Sequence, residues 1–166
     1  MKTFYLDNNE EEHFDFDVFA ITCNQSVYRV INEINESLSL SLAFTELLDF
    51  RHETGEDFLF PIYQYQLEKL NIEFDLLPNE TSLQPQMSSI KSETTFDLFA
   101  GDIEQSIKLL PELLSADFLL LIKGENRYLY NHTILEALKE ITLFTEVKEV
   151  FMDDLADKKS RSHLLF

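Results

Sequence analysis

Residues 57–77, DFLFPIYQYQLEKLNIEFDLL, decide how the fold is read. In the first half, Phe58, Phe60 and Ile62 oppose Leu59, Tyr63 and Tyr65. In the second, Ile72, Phe74 and Leu76 alternate with Asn71, Glu73 and Asp75. Successive side chains of a strand point to opposite faces, so a period of two marks strands. The spacing predicts a strand over 57–66 and a half-buried strand over 71–77, joined as a hairpin. Pro61 lacks an N–H, which favours an edge position or a bulge there.

Outward from the hairpin the pattern changes several times in each direction. On the N-terminal side, Phe14, Phe16, Val18 and Ala20 alternate with His13, Asp15 and Asp17, and Phe19, Ile21 and Cys23 then make both faces apolar. That predicts a strand with one half-exposed end. Ser26 is placed to cap a helix carrying Val27, Val30, Ile31 and Ile34 at helical spacing. Residues 38–42 read as a turn and loop on that helix, 47–50 as a short strand, and 52–55 as a turn. On the C-terminal side, 78–95 is rich in Ser, Pro, Gln and Asn and reads as a long exposed loop. Residues 95–100 fit a short strand, 103–110 fit a helix only ambiguously, and 117–123 form a buried strand closed by Gly124. Asn131 can cap a second helix with Ile134, Ala137, Leu138 and Ile141 on one face, and 147–152 is a last strand. Consecutive strands in the middle favour hairpins. The expected fold is α+β: a mainly antiparallel sheet of about five or six strands with two main helices packed on one face. One domain over 1–166 is expected, with 1–12 frayed.

The chain has 166 residues and a net charge of −18, from 13 basic and 31 acidic residues. Phosphate backbones and anionic membranes repel such a surface, so neither nucleic acid nor membrane is an expected partner. Fifteen Phe and no Trp assign much of the core to phenylalanine. Cys23 is the single cysteine, which fits a reducing compartment. The N-terminal residues lack a long apolar stretch before Glu10-Glu11-Glu12, so a cytoplasmic location is expected.

Few constellations suggest chemistry. His13, Asp15 and Asp17 share one strand face and offer imidazole and carboxylate ligands for a divalent cation, although a solvated strand end is the simpler account. Gly55, Gly101 and Gly124 each sit at a turn, so no phosphate-binding loop and no nucleophile elbow is present. No cofactor is implied. Arg127 with Tyr128 and Tyr130 places a cation among aromatic rings on a loop. Leu164-Leu165-Phe166 is an apolar ending; it either docks on its own domain or engages a partner by strand addition.

The segment Leu110-Pro111-Glu112-Leu113-Leu114-Ser115-Ala116-Asp117-Phe118 resembles the signature of the IPExxxVDY family of small bacterial proteins, known from Bacteroidota. Pro111, Glu112 and Asp117 match it literally, whereas Leu110, Ala116 and Phe118 replace Ile, Val and Tyr. The resemblance implies a cytoplasmic setting and brings no activity with it. The motif also has a structural account: Pro111 and Glu112 suit the start of a helical turn, and Asp117 suits the turn into a buried strand. The reading that follows is a non-enzymatic interaction or regulatory module, binding an unknown protein or a second copy through a sheet edge. An acidic ligand- or metal-binding protein and an enzyme are the alternatives.

Overall fold

The computed structural model describes residues 15–52, 55–82, 106–155, 163, 164 and 166. The hairpin is present as β3 (Asp57–Leu67) and β4 (Ile72–Pro78), joined by a short 3-10 turn over Glu68–Leu70. Asn71 leaves that turn in the left-handed region at φ 51°. Gly124 packs against its carbonyl at φ 114°, where any Cβ would collide with the Asn71 carbonyl oxygen. Glycine is required there both for space and for backbone conformation.

The remaining strands and α-helices of the described residues are β1 (Phe16–Thr22), α1 (Val27–Leu38), β2 (Ala43–Arg51), β5 (Glu80–Ser82), β6 (Ser106–Lys108), β7 (Phe118–Lys123), α2 (Asn131–Glu140) and β8 (Glu146–Val150). Six strands form one sheet in the order β2-β3-β4-β7-β1-β8, and β5 pairs with β6 in a small second sheet. Every pairing is antiparallel. The fold is α+β, with an antiparallel sheet and two main helices. Among the described residues, no helix is long and apolar enough to cross a membrane.

Strand alternation feeds two cores. Phe19, Ile21, Phe74, Leu76, Leu120 and Ile122 face the helices, where Val30, Ile34, Ile134 and Leu138 meet them. Phe16, Val18, Ala20, Leu77, Leu119 and Leu121 point the other way, onto Leu109, Leu110, Ala116, Leu155 and Leu164. The two α-helices therefore cover one face, and turns, chain segments and a 3-10 turn over Met152–Asp154 cover the other. A strand buried on both faces reads as an unbroken apolar run, which explains the composition of Phe118-Leu119-Leu120-Leu121-Ile122.

Several expectations are corrected. Asp75 is not solvent-facing but fully buried, because β4 is an interior strand covered on both sides. β2 is longer than 47–50, and β8 ends at Val150. The expected loop over 78–95 begins as ordered structure, with Asn79 buried and Glu80–Ser82 in β5; residues 83–95 and the strand expected over 95–100 lie outside the described residues. Residues 106–108, within the ambiguous 103–110 segment, are strand. Asn131 is the first residue of α2 rather than its cap; Tyr130 holds the cap position, and the Asn131 side chain donates to Glu149 Oε1 at 2.9 Å. Ser26 does occupy the α1 cap position, but through its backbone carbonyl and not its hydroxyl. Pro61 lies in an interior strand, yet beyond the last β3–β4 pair, Tyr63 with Leu76, so only β2 is paired to β3 at that point.

Candidate functional site

The family-like segment is built around one residue that its own pattern does not include. Asn79, fully buried, reaches into the turns that follow Leu110. Its Oδ1 accepts from the Leu110 N–H at 2.9 Å, and its Nδ2 is directed at the carbonyls of Leu110 (3.4 Å), Leu113 (3.2 Å) and Ala116 (3.1 Å). Its backbone donates to the Asp117 carbonyl and accepts from the Leu109 N–H, both at 2.8 Å. Irregular backbone can be buried only when its polar groups find partners, and one asparagine amide supplies both a donor group and an acceptor.

Asp117 completes the arrangement. Its Oδ2 accepts from the Cys23 N–H at 2.8 Å and its own N–H donates to the Ile21 carbonyl at 2.9 Å, tying the end of β1 to the start of β7. Thr22 Oγ1 donates to the Ser115 carbonyl at 2.8 Å beside it. Burial pushes the Cys23 thiol pKa up, with the Asp117 charge adding to it, so the thiol is poorly placed for nucleophilic work. Leu110 and Phe118 are core residues, and Pro111 and Glu112 lie on the exposed side of a turn closed by Leu113 N–H to the Leu110 carbonyl, with no helix there. Of the two motif carboxylates, Glu112 is exposed, whereas that of Asp117 is engaged by the Cys23 N–H.

Acidic and basic side chains converge at the other end of the same face. Lys123 Nζ lies 2.5 Å from Asp75 Oδ2 and 3.5 Å from Glu73 Oε1. It also donates to the Phe166 carbonyl at 3.4 Å and stands 4.5 Å from the centre of the Phe166 ring. A cavity of about 540 Å³ opens beside it, lined in part by Asp15, Phe16, Glu73, Lys123, Leu164 and Phe166. Leu164 is fully buried in its own domain, the first of the two roles the sequence left open for the apolar ending and not the partner contact, and Leu165 lies outside the described residues.

Of the expected metal ligands, His13 also lies outside the described residues. Asp15 is exposed, and Asp17 Oδ2 sits 3.4 Å from Arg127 Nε, long for a hydrogen bond but close enough for an ion pair. Burial raises the Asp17 pKa, and Arg127 only partly opposes this. Among the described residues, no three His, Cys, Asp or Glu side chains converge on a point where a metal ion fits. Arg127 also donates to the Gly124 carbonyl, while Tyr128 beside it is exposed.

The sheet margins differ. β8 is five residues long, EVKEV, and its outward Lys148 pairs with Glu146 at 2.9 Å. β2 runs for nine residues, AFTELLDFR, and not one of them is buried. Among the described residues nothing pairs with its outer side. Phe44 is 55% exposed and Leu47 50% exposed, and Phe44 stacks edge-on against Tyr63 with centroids 6.0 Å apart. A register shift between Phe44 and Glu46 puts Phe44 and Leu47 on the same face, the one that carries the helices. Tyr28 on α1, 73% exposed, extends this apolar strip; burial raises the Tyr63 hydroxyl pKa and the nearby Tyr28 hydroxyl raises it further. The sequence suggested a short strand here but carried no sign that it would end the sheet. Compared with known families and curated proteins, the chain matches no family model, and no curated protein matches it.

Proposed function

We propose that this protein is a non-enzymatic interaction module that engages another protein by strand addition along β2. The observation that carries the reading is the contrast between margins: β8 is short and charged, as guarded edges are, whereas β2 is long, unburied and carries Phe44 and Leu47 outward. An edge strand presents unpaired N–H and C=O groups, and an incoming extended segment satisfies them while alternate side chains confer choice. Membership of the IPExxxVDY family and a cytoplasmic setting belong to the same proposal. The Asn79-centred turns give the family-like motif a structural role within it: they hold β7 and β1 in place so that the sheet keeps its margins.

Affinity capture from the native host, comparing the wild type with Phe44→Ser/Leu47→Ser, tests the reading. A specific partner retained by the wild type and lost by the double variant is expected. Equal capture by both proteins, or none by either, overturns it.

A second reading, a protein binding a cation or small ligand, draws on Asp15 and Glu73 at the cavity beside Lys123. Thermal shift against a series of divalent cations checks its metal form: melting unchanged by every ion removes it.

A further inference from the structure

The chemistry of the occupant of β2 follows from the register, provided that β2 is the docking margin proposed above. Beyond the bulge, Glu46, Leu48 and Phe50 oppose Ile62, Phe60 and Phe58, while Leu47 and Asp49 oppose Pro61 and Leu59. Glu46 and Asp49 thus point to opposite faces of the sheet, three positions apart. Both are exposed, and neither has an ion pair among the described residues, whereas the one cation of the strand, Arg51, is 3.7 Å from Asp57 of β3. The margin therefore offers one carboxylate on each face, with apolar side chains beside them.

A second copy paired through its own β2 meets these requirements badly. Two-fold antiparallel pairing of β2 with itself, centred on Leu47 or Leu48, sets Glu46 opposite Leu48 or Phe50 and Asp49 opposite Thr45 or Leu47. Neither register supplies a cation, and each chain brings a net charge of −18. Opposite charges across a strand pair stabilise it and like charges destabilise it. We infer that the natural occupant of β2 is an extended segment of a different, basic protein, with Lys or Arg at two positions three apart and apolar residues between and beside them. The basic residue opposite Glu46 lies on one face and that opposite Asp49 on the other. Long-range attraction to so acidic a chain also speeds encounter with a basic partner.

Fluorescence anisotropy with the full chain and labelled nine-residue peptides tests this. One peptide carries two Lys three apart in a Val and Thr background, a second carries Glu at the same places, and a third is the Lys peptide with alternate backbone nitrogens methylated. The Lys peptide is expected to bind about tenfold more tightly than the Glu peptide, and less tightly as salt is raised. Glu46→Lys/Asp49→Lys is expected to reverse the preference. Equal binding of Lys and Glu peptides, or a preference that survives the charge reversal, overturns the basic-partner inference. A dimer seen by ultracentrifugation, abolished by Phe44→Ser/Leu47→Ser and accompanied by no peptide binding, overturns it too but leaves β2 as the docking margin. Undiminished binding of the methylated peptide, or neither peptide binding nor dimer, removes the docking margin itself.

Discussion

The interior of the sheet and its β2 margin are built from similar residues under opposite rules. Around β7 and β1, Phe, Leu and Ile are buried on both faces, and Asn79 and Asp117 supply hydrogen bonds to the turns between Leu110 and Asp117 and to the end of β1. Along β2, Phe44, Leu47, Leu48 and Phe50 are four of nine residues, sparser than the five of six in β7, and the first two are exposed. Among the described residues, the side-chain ties there are Thr45 Oγ1 donating to the Ile62 carbonyl at 3.2 Å and Arg51 paired with Asp57 on an exposed surface. That lower apolar content does not by itself make β2 a docking strand. Strand order does, because only the last strand of a sheet keeps one row of backbone groups unpaired.

Changes to the interior should cost most. Asn79→Ala removes the acceptor for Leu110 N–H and the donors to three carbonyls, and each buried group left without a partner costs about 1–3 kcal/mol. A loss of about 3 kcal/mol or more in urea unfolding is expected; a loss below about 1 kcal/mol would break the contrast. Next comes Lys123→Met. It strands the fully buried Asp75 carboxylate, and breaking such a pair costs about 3–5 kcal/mol, reduced here because Lys123 itself is partly exposed. About 2–3 kcal/mol by the same measurement is expected.

At the margin, Phe44→Ser/Leu47→Ser should change stability by about 1 kcal/mol or less, since both side chains already meet water in the folded state. A much larger loss would mean that the strip is core and not a docking surface. The smallest effect concerns Asp17. Burial raises its folded pKa above the unfolded value, so the native state holds the proton more tightly and the ionised carboxylate costs stability at neutral pH. That cost begins to shrink as the pH falls through the raised value and is gone below the unfolded value. Asp17→Asn should therefore be slightly more stable than the wild type near pH 7, with the difference shrinking in acid; melting temperatures across that range measure it. A less stable variant at pH 7 would show that the Arg127 ion pair outweighs burial.

Local periodicity determined much of this protein before any tertiary contact was known. Alternation at 57–66 and 71–77 specified the hairpin, the spacing of Val30 and Ile34 specified α1, and the unbroken run at 118–122 specified a buried strand. These signals are legible because a strand or helix repeats within a few residues and declares its buried face in its own sequence. What only the tertiary structure decided is where partners meet across distance. Asn79 reads as a loop residue until the turns more than thirty positions away close around it. Asp75 reads as a surface position until Lys123 and a second core lie over it. The candidate site was hidden for the same reason: Phe44 and Leu47 sit at a margin only because β2 ends the strand order, and strand order is a property of pairings that no single segment encodes.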